Sequence, residues 1–212
     1  MKLKPSVVFC SLLLFPVALV FTAPCSAIIV TFDDLTDTRN GGGTLISNTY
    51  QGLVWSNFAV GNVLLQTAFN GTSGYYYGMI TVSNVVTGGH GDPARIDTVG
   101  ANFNFFSAYL TGAWRSNLNI EVEGFRNGNL LYDTTVVASA TDATLFTFNY
   151  LNIDRLAFIS SGGQYAGFSS DGLNFAMDNF NFEFVPEPSS LLLTCIGGLA
   201  LFGLVRRSRV CR

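Results

Sequence analysis

Apolar and polar residues alternate in short segments through the middle of this chain. The clearest alternation covers residues 118–125. Side chains two residues apart share one face of a β-strand, so this period predicts a strand with one buried and one solvent-facing side. A second segment, 130–137, follows the pair Asn127-Gly128, which favours the positive φ angles of a type I′ turn. We predict that the two segments form a β-hairpin.

Other short apolar segments between turn residues have the same strand-like character. They cover residues 28–32, 52–58, 63–67, 79–82, 94–99, 103–114, 145–148, 155–159 and 175–184. The sequence between them is rich in glycine and asparagine, and no long amphipathic helix interrupts it. About eight to ten short strands with glycine-rich turns predict an all-β fold, a single antiparallel β-sandwich.

The last of these segments changes its period partway along. Its apolar residues occupy odd positions up to Met177 and even positions from Phe180 onward. An unbroken pleat would place these two sets on opposite faces of the sheet. One extra residue at Asp178 or Asn179 would bring them to one face, so we predict a β-bulge there. A strand buried on both faces is the alternative.

The N-terminus has the pattern of a secretory signal. Lys2 and Lys4 precede an apolar stretch over residues 7–21, and a small-residue site follows at residues 25–27. We predict a signal peptide over residues 1–27 that is removed in the mature protein. An uncleaved membrane anchor is the alternative, although the apolar stretch is short for a stable span.

The C-terminus has a second apolar stretch followed by arginines. Residues 191–205 reach about 22 Å as a helix, against a hydrocarbon core of about 30 Å, and polar flanks extend them. We predict a transmembrane helix over residues 189–205. The basic end, residues 206–212, is then predicted to be cytoplasmic by the positive-inside rule. A buried apolar helix is the alternative.

A short proline motif, Val185-Pro186-Glu187-Pro188, stands directly before this apolar stretch. The motif, the span and the basic end together resemble the PEP-CTERM tail of Gram-negative bacteria, which an exosortase, a membrane transpeptidase-like sorting enzyme, recognises. The resemblance implies export, a transient stay in the inner membrane and delivery to the cell surface or extracellular matrix, with an exosortase as partner. The sorting residues it implies are Val185, Pro186, Glu187, Pro188, Arg206 and Arg207.

The region between the two ends, residues 28–184, has a resemblance of its own. Residues 52–58, 107–114 and 177–180 are similar to strings that recur in PEP-CTERM ectodomains of carbohydrate-binding-module type. This resemblance implies a sandwich of jelly-roll type. It implies no defined ligand. Because the sequence offers no convincing catalytic constellation, we predict a non-catalytic protein that binds glycan or acts structurally in the extracellular polysaccharide layer.

Charge is distributed unevenly between the ends and the middle. Residues 28–184 contain ten Asp and three Glu against five Arg and no Lys, a formal charge of −8. Such a domain is not expected to bind nucleic acid, which requires basic side chains. Uronic-acid polymers would also be repelled unless a cation bridged them, whereas neutral sugars would not. All four cysteines lie in the end segments, so no disulfide is expected in the domain.

Three carboxylates near the ends of the domain suggest a structural calcium ion. Asp33 and Asp34 follow the first predicted strand, and Asp178 lies in the last. The first and last strands of a jelly roll are commonly neighbours, so these carboxylates could share a calcium ion with backbone carbonyls and water. The alternative is that Asp33 and Asp34 start an Asx turn.

The aromatic residues offer the candidate ligand contacts. Tyr75 and Tyr77 would share one face of a strand and Tyr76 the other, so at least one face would present phenol rings. We expect Tyr75 and Tyr77 to contact a glycan, with core packing as the alternative. Trp55 and Trp114 stand among apolar residues and are expected in the core.

No residues are predicted to be catalytic. Glu121 and Glu123 are spaced about 6.6 Å apart on one face of a strand, a separation that some glycoside hydrolases use. Their surroundings have the pattern of a plain solvent face, so a polysaccharide hydrolase is only the alternative function. His90, the only histidine, stands in a glycine-rich loop. Ice binding is a second alternative, but rows of Thr-x-Thr are absent from the sequence.

Overall fold

The computed structural model describes residues 26–47, 49–88 and 92–186. Within these ranges the chain forms twelve strands and two short helices. The strands are β1 (Ile28–Val30), β2 (Thr44–Leu45), β3 (Val54–Ser56), β4 (Phe58–Asn62), β5 (Asn84–Gly88), β6 (Ala94–Asp97), β7 (Phe103–Gly112), β8 (Arg115–Arg126), β9 (Asn129–Ala138), β10 (Thr144–Ile153), β11 (Arg155–Tyr165) and β12 (Phe175–Phe184). The helices are α1 (Val63–Asn70) and α2 (Gly74–Gly78).

The strands form two antiparallel sheets. Sheet A has the order β10-β7-β12-β5-β4-β2, and β1 also pairs with β12. Sheet B has the order β3-β6-β11-β8-β9. The main hydrophobic core lies between the sheets and draws side chains from both. The predicted antiparallel β-sandwich is therefore confirmed.

Aromatic rings fill much of the space between the sheets. Phe105 stacks on Phe180 with ring centroids 4.8 Å apart, and both side chains are fully buried. Trp55 meets Phe58 and Phe180 edge-on at 5.2 and 5.5 Å. These offset and edge-to-face arrangements are the ones that aromatic quadrupoles favour. The predicted core position of Trp55 is confirmed.

The predicted hairpin is formed by β8 and β9. Asn127 and Gly128 have φ angles of 51° and 77°, as a type I′ turn requires. The backbone N–H of Asn127 also donates to the Asp154 carboxylate at 2.6 Å, which fixes the turn to the neighbouring loop. Buried and half-buried positions alternate along β8, as the sequence predicts.

The predicted bulge in β12 is also present. The pairing of β12 with β7 shifts register between Asp178 and Asn181, and Asn179 has a φ of 50°. Met177 and Phe180 consequently both face the core between the sheets. Ala176 is buried on the outer face of the sheet. The first half of β12 is therefore buried on both faces, which is the alternative considered for this strand.

Two predicted strands are wrong. Residues 63–67 belong to helix α1, which begins where the side chain of Asn62 accepts a hydrogen bond from the backbone N–H of Leu65 at 3.2 Å. Residues 79–82 form a loop. The backbone N–H groups of Ile80 and Thr81 donate to the carboxylate of Asp178 and not to a neighbouring strand. A short apolar run does not distinguish these structures by its period.

Strand β5 and the short strand β2 were not predicted. All five residues of β5 are buried, because the core covers one face of it and the outer cluster covers the other. A strand buried on both faces has no alternating pattern to reveal it.

The segment of Tyr75, Tyr76 and Tyr77 forms helix α2 and not the predicted strand. The helix lies on sheet A because Gly74 meets Gly112 of β7. A Cβ added to Gly74 would lie 1.8 Å from the carbonyl oxygen of Gly112. Only glycine permits this approach of two backbones.

We predict that Gly74→Ala lowers the free energy of unfolding by about 3 kcal/mol, roughly 6–12 °C in Tm, because the added methyl meets backbone that cannot move aside. Gly61→Ala is the matched control, since a Cβ there meets nothing within 4 Å. We expect the control to change the free energy by less than about 0.5 kcal/mol. Thermal melting checks both, and equal melting temperatures for the two variants would contradict the proposed contact.

Several predictions fall partly or wholly outside the described residues. These are residues 1–25 of the signal peptide, the span 189–205, Glu187, Pro188, Arg206, Arg207 and His90. Val185, which is described, donates its backbone N–H to the carbonyl of Asn102 at 2.8 Å. Among the helices of the described ranges, none has the length and apolar character needed to cross a membrane.

Candidate functional site

An open cleft of about 510 Å³ lies on the outer face of sheet A. Its floor is formed by residues that lie opposite one another on neighbouring strands and face outward: Leu45, Ala59 and Thr87. The same row continues across the sheet to Ala176 and Thr111, which lie under helix α2. Most of these side chains are small, and the sheet surface is therefore depressed here. The rim stands above it and carries Arg39, Gly41, Gly42, Gly43, Gln66, Ser170, Asp171 and Asn174.

Two aromatic rings form the end of the cleft floor. Tyr75 and Trp114 meet edge-on with centroids 5.4 Å apart, and both are more than nine-tenths buried. The hydroxyl of Tyr75 shares a hydrogen bond of 3.1 Å with the hydroxyl of Thr87. Burial raises the pKa of Tyr75 to about 12, against smaller opposing effects of hydrogen bonds from Thr87 and Trp114. The phenol therefore stays neutral at physiological pH. The predicted burial of Trp114 is confirmed, and its ring also lines the cleft.

Asp37 shapes the loop that forms one wall. Its Oδ1 accepts hydrogen bonds from the backbone N–H of Arg39 at 2.9 Å and the hydroxyl of Thr44 at 3.2 Å. Its Oδ2 accepts from the backbone N–H groups of Gly41 at 2.8 Å and Asn62 at 3.1 Å. Burial raises the pKa of the Asp37 carboxyl, but these hydrogen bonds outweigh that effect and leave the pKa below its ordinary value. The ionised carboxylate thus holds the loop closed.

The same loop packs against helix α1. Gly41 has a φ of 89°, and a Cβ there would lie 2.6 Å from the backbone nitrogen of Gln66. Both the backbone angle and the close approach require glycine. The contact brings Arg39 and Gln66 to the same part of the rim, where both side chains line the cleft.

Asp171 on the rim takes part in an ion pair. Arg115 donates from Nε to Oδ1 of Asp171 at 2.6 Å and from Nη2 to Oδ2 at 2.8 Å. The pKa of Asp171 is lowered, first by the hydrogen bonds from Arg115. Among the residues that the structure describes, Arg39 takes part in no ion pair. The cleft therefore has one balanced charge pair and one exposed guanidinium with available donors.

Two of the three predicted calcium ligands hold the same loop. Oδ1 of Asp33 accepts from the backbone N–H groups of Ser83 and Asn84, both at 3.1 Å. Oδ2 of Asp178 accepts from the N–H groups of residues 80 and 81 at 2.8 and 3.0 Å. Burial raises the pKa of Asp33, but hydrogen bonds from Thr81 and the backbone outweigh it and leave the pKa lowered.

Asp34 is directed elsewhere. It accepts a hydrogen bond from the hydroxyl of Tyr50 at 2.5 Å. Within the described ranges, no three or more acidic, histidine or cysteine side chains are grouped so that they could hold a metal ion. A calcium ion on Asp33, Asp34 and Asp178 stays a prediction.

The structure separates the two predicted ligand contacts. Tyr75 lines the cleft, whereas Tyr77 lies outside it and is 38% exposed. The interpretation that both share one face of a strand is wrong, because the segment is helical. No sequence pattern points to Arg39 or Gln66. The only available signal was the run Gly41–Gly43, which indicates a tight loop but not its ligand.

Glu121 and Glu123 lie on the outer face of sheet B, on the other side of the sandwich. Burial raises the pKa of Glu123, with further contributions from the charges of Glu121 and Asp133. Neither glutamate lines the cleft.

Comparison with known proteins gives distant structural similarities. No protein-family model matches the chain, and no curated protein matches its sequence. A DUF4465 family protein from Bacteroides ovatus is 10% identical over 76% of this chain and 100% of its own, with a TM-score of 0.47. The K1 cleaved adhesin domain of Lys-gingipain from Porphyromonas gingivalis is 11% identical over 76% and 99%, with a TM-score of 0.39.

A third solved structure, TmCBM61 in complex with β-1,4-galactotriose, is 10% identical over 66% of this chain and 92% of its own, with a TM-score of 0.35. At such identities and TM-scores, nothing about the ligand of this chain follows from the likeness. The cleft itself therefore carries the functional inference.

The Asp37 carboxylate makes the stability of the cleft wall depend on pH. Because its pKa in the folded protein is lowered, its stabilisation is present above the unfolded pKa, about 3.9, and is lost as pH falls through the folded value. We predict that Asp37→Asn melts at a lower temperature than the natural protein at pH 7. The difference should shrink as pH falls from about 5 to 3.

Melting temperatures measured over this pH series check the prediction. Asp142→Asn, at an exposed residue in the loop after β9, is the control and should melt like the natural protein throughout. A difference between Asp37→Asn and the natural protein that stays constant with pH would contradict the role of the charge.

Proposed function

We propose that this chain is a non-catalytic glycan-binding protein whose ligand occupies the cleft on sheet A. One observation carries the proposal: an open cleft is lined by two mostly buried aromatic residues, Tyr75 and Trp114, and by a rim of hydrogen-bonding side chains. A sugar ring has an apolar face and a periphery of hydroxyl groups. Such a ligand can place its apolar face on the floor, where Ala59 lies beside the exposed parts of Tyr75 and Trp114, and its hydroxyl groups against the rim.

The rim supplies the hydrogen bonds that sugar hydroxyls need. Arg39 offers donors only, and Gln66 offers both donors and an acceptor. Asp171 keeps acceptor capacity beside its ion pair with Arg115. Because the domain as a whole is acidic, a neutral glycan is the preferred ligand class. No binding to nucleic acid is proposed.

The absence of catalysis is part of the proposal. Hydrolysis of a glycosidic bond generally uses two carboxyl groups on either side of that bond. Among the described residues that line the cleft, Asp171 is the only carboxylate, and Arg115 already holds it. The placement of Glu121 and Glu123 on one face of β8 keeps a hydrolase as the second candidate. Release of reducing sugar by the purified protein, and its loss in Glu121→Gln, would favour that candidate instead.

We also propose that the chain is exported and sorted. The support is the sequence: a signal-like segment before residue 28, the motif of residues 185–188, an apolar stretch and a basic end. An exosortase would be the partner, the inner membrane a transient location, and the cell surface or polysaccharide matrix the destination. A jelly-roll sandwich would be the part delivered.

A structural calcium ion is a further proposal, supported by the oxygen chemistry of Asp33, Asp34 and Asp178. We predict that millimolar calcium raises the melting temperature of the natural protein and has a smaller effect on Asp34→Asn. The same change on adding magnesium would point to a general ionic effect. No stabilisation by calcium would remove the proposed site.

The glycan site is tested by screening the full chain on an array of neutral and acidic glycans, followed by affinity measurements. We predict that Arg39→Ala weakens binding about tenfold and Gln66→Ala by roughly five- to tenfold, because each removes hydrogen bonds worth about 1 kcal/mol or more. Both side chains are at least partly exposed, so melting temperatures should change little.

Arg126→Ala is the matched control, because Arg126 is exposed at the end of β8 in the other sheet. It should bind like the natural protein. If no glycan binds, or if Arg126→Ala weakens binding as much as Arg39→Ala does, the cleft is not the binding site.

A further inference from the structure

We infer that the bound glycan extends out of the cleft onto an aromatic ledge formed by Tyr76, Tyr77 and Phe168. The protein would then prefer a longer stretch of polysaccharide to a short oligosaccharide. This inference rests on the proposed glycan-binding function and names the class of ligand that the site selects.

Helix α2 is fixed on sheet A at both ends. The backbone N–H of Gly74 donates to the carbonyl of Ala113 at 2.8 Å, beside the close approach to Gly112. At Gly78, a Cβ would lie 3.0 Å from the Cβ of Ala176. The helix therefore has one orientation relative to the cleft floor.

This orientation sends the three tyrosines in different directions. Successive residues of a helix are rotated by about 100°. Tyr75 lines the cleft floor, is buried and shares a hydrogen bond with Thr87 of the sheet, whereas Tyr76 and Tyr77 are 43% and 38% exposed. Two large rings on the solvent side of a fixed helix contribute little to the core, so their exposure suggests a contact surface.

The rings of the ledge hold one another in place. Tyr76 and Tyr77 meet edge-on with centroids 5.6 Å apart, and Tyr77 and Phe168 form a tilted pair with centroids 6.4 Å apart and an interplanar angle of 30°. The hydroxyl of Tyr165 donates to the carbonyl of Phe168 and anchors that residue. Aromatic side chains held in this way offer contact area at a low cost in conformational entropy.

The ledge is continuous with the cleft. Phe168 packs against the buried cluster that contains Tyr75 and Trp114. The loop that carries Phe168 begins where Ala166 donates to the carbonyl of Trp114 at 3.0 Å, and it continues to Asp171 on the cleft rim. One loop therefore borders both surfaces, and a chain of sugars that leaves the cleft over it meets the ledge.

The experiment uses the full chain and the neutral glycan with the strongest array signal, cut into a series of two to six sugar units. We expect affinity to rise at least about tenfold from the shortest to the longest ligand. The double variant Tyr76→Ala with Tyr77→Ala should lose this rise and bind the disaccharide within about twofold of the natural protein. The double variant with Phe at both positions keeps the rings and should retain the rise.

The outcomes separate this inference from the proposed function. If Arg39→Ala weakens every length while the natural protein shows no preference for longer ligands, the cleft binds glycan and the ledge inference is overturned. An equal loss at all lengths in the double Ala variant also overturns it. If no glycan binds, the proposed function fails. Concentration-dependent self-association that the double Ala variant abolishes would make the ledge a contact between copies, which also overturns the inference.

Discussion

The buried carboxylate of Asp178 joins the last strand to the segment between helix α2 and strand β5. It accepts hydrogen bonds from the backbone N–H groups of Ile80 and Thr81 and from the Thr81 hydroxyl. Burial raises its pKa, and no arginine of the described residues pairs with it. Hydrogen bonds alone must therefore offset the cost of burying this group. Through them, the tyrosine helix and the cleft floor are held to the same strand.

The bulge that contains Asp178 also determines which side chains of strand β12 face the core. One side of β12 pairs with β7, and the other pairs with β5 at residues 175–177 and with β1 at residues 180–182. Against β7, the register of β12 shifts between Asp178 and Asn181 and again between Asn181 and Phe182. This irregularity keeps the phenylalanines of both halves in the core and leaves Ala176 on the outer face, beneath helix α2. One local irregularity thus contributes to both the packing and the site.

The sequence predicted the parts of the fold that depend on local pattern. Alternation revealed the β8–β9 hairpin, and the change of period revealed the bulge in β12. The tyrosine segment is a helix and not the predicted strand, and its contact between Gly74 and Gly112 joins residues far apart in the chain. Strand β5 was missed because burial on both faces removes alternation.

The candidate site was less predictable than the fold. The chemistry of its side chain predicts Tyr75 as a ligand contact, but the predicted strand around it is a helix in the structure. Arg39 and Gln66 reach one rim only because Asp37 closes the glycine loop and Gly41 packs against helix α1. Neither interaction leaves a periodic signal in the sequence, since both are set by the tertiary fold.

Backbone amide chemical shifts of the isotopically labelled full chain, followed during titration with a neutral glycan, would locate the ligand directly. A glycan on the outer face of sheet A should shift the amides of Gly41, Gln66 and Thr87, which border or underlie the cleft. The amides of Glu121 and Glu123 on sheet B should stay unchanged. Shifts confined to sheet B, or none at saturating glycan, would contradict a binding cleft on sheet A.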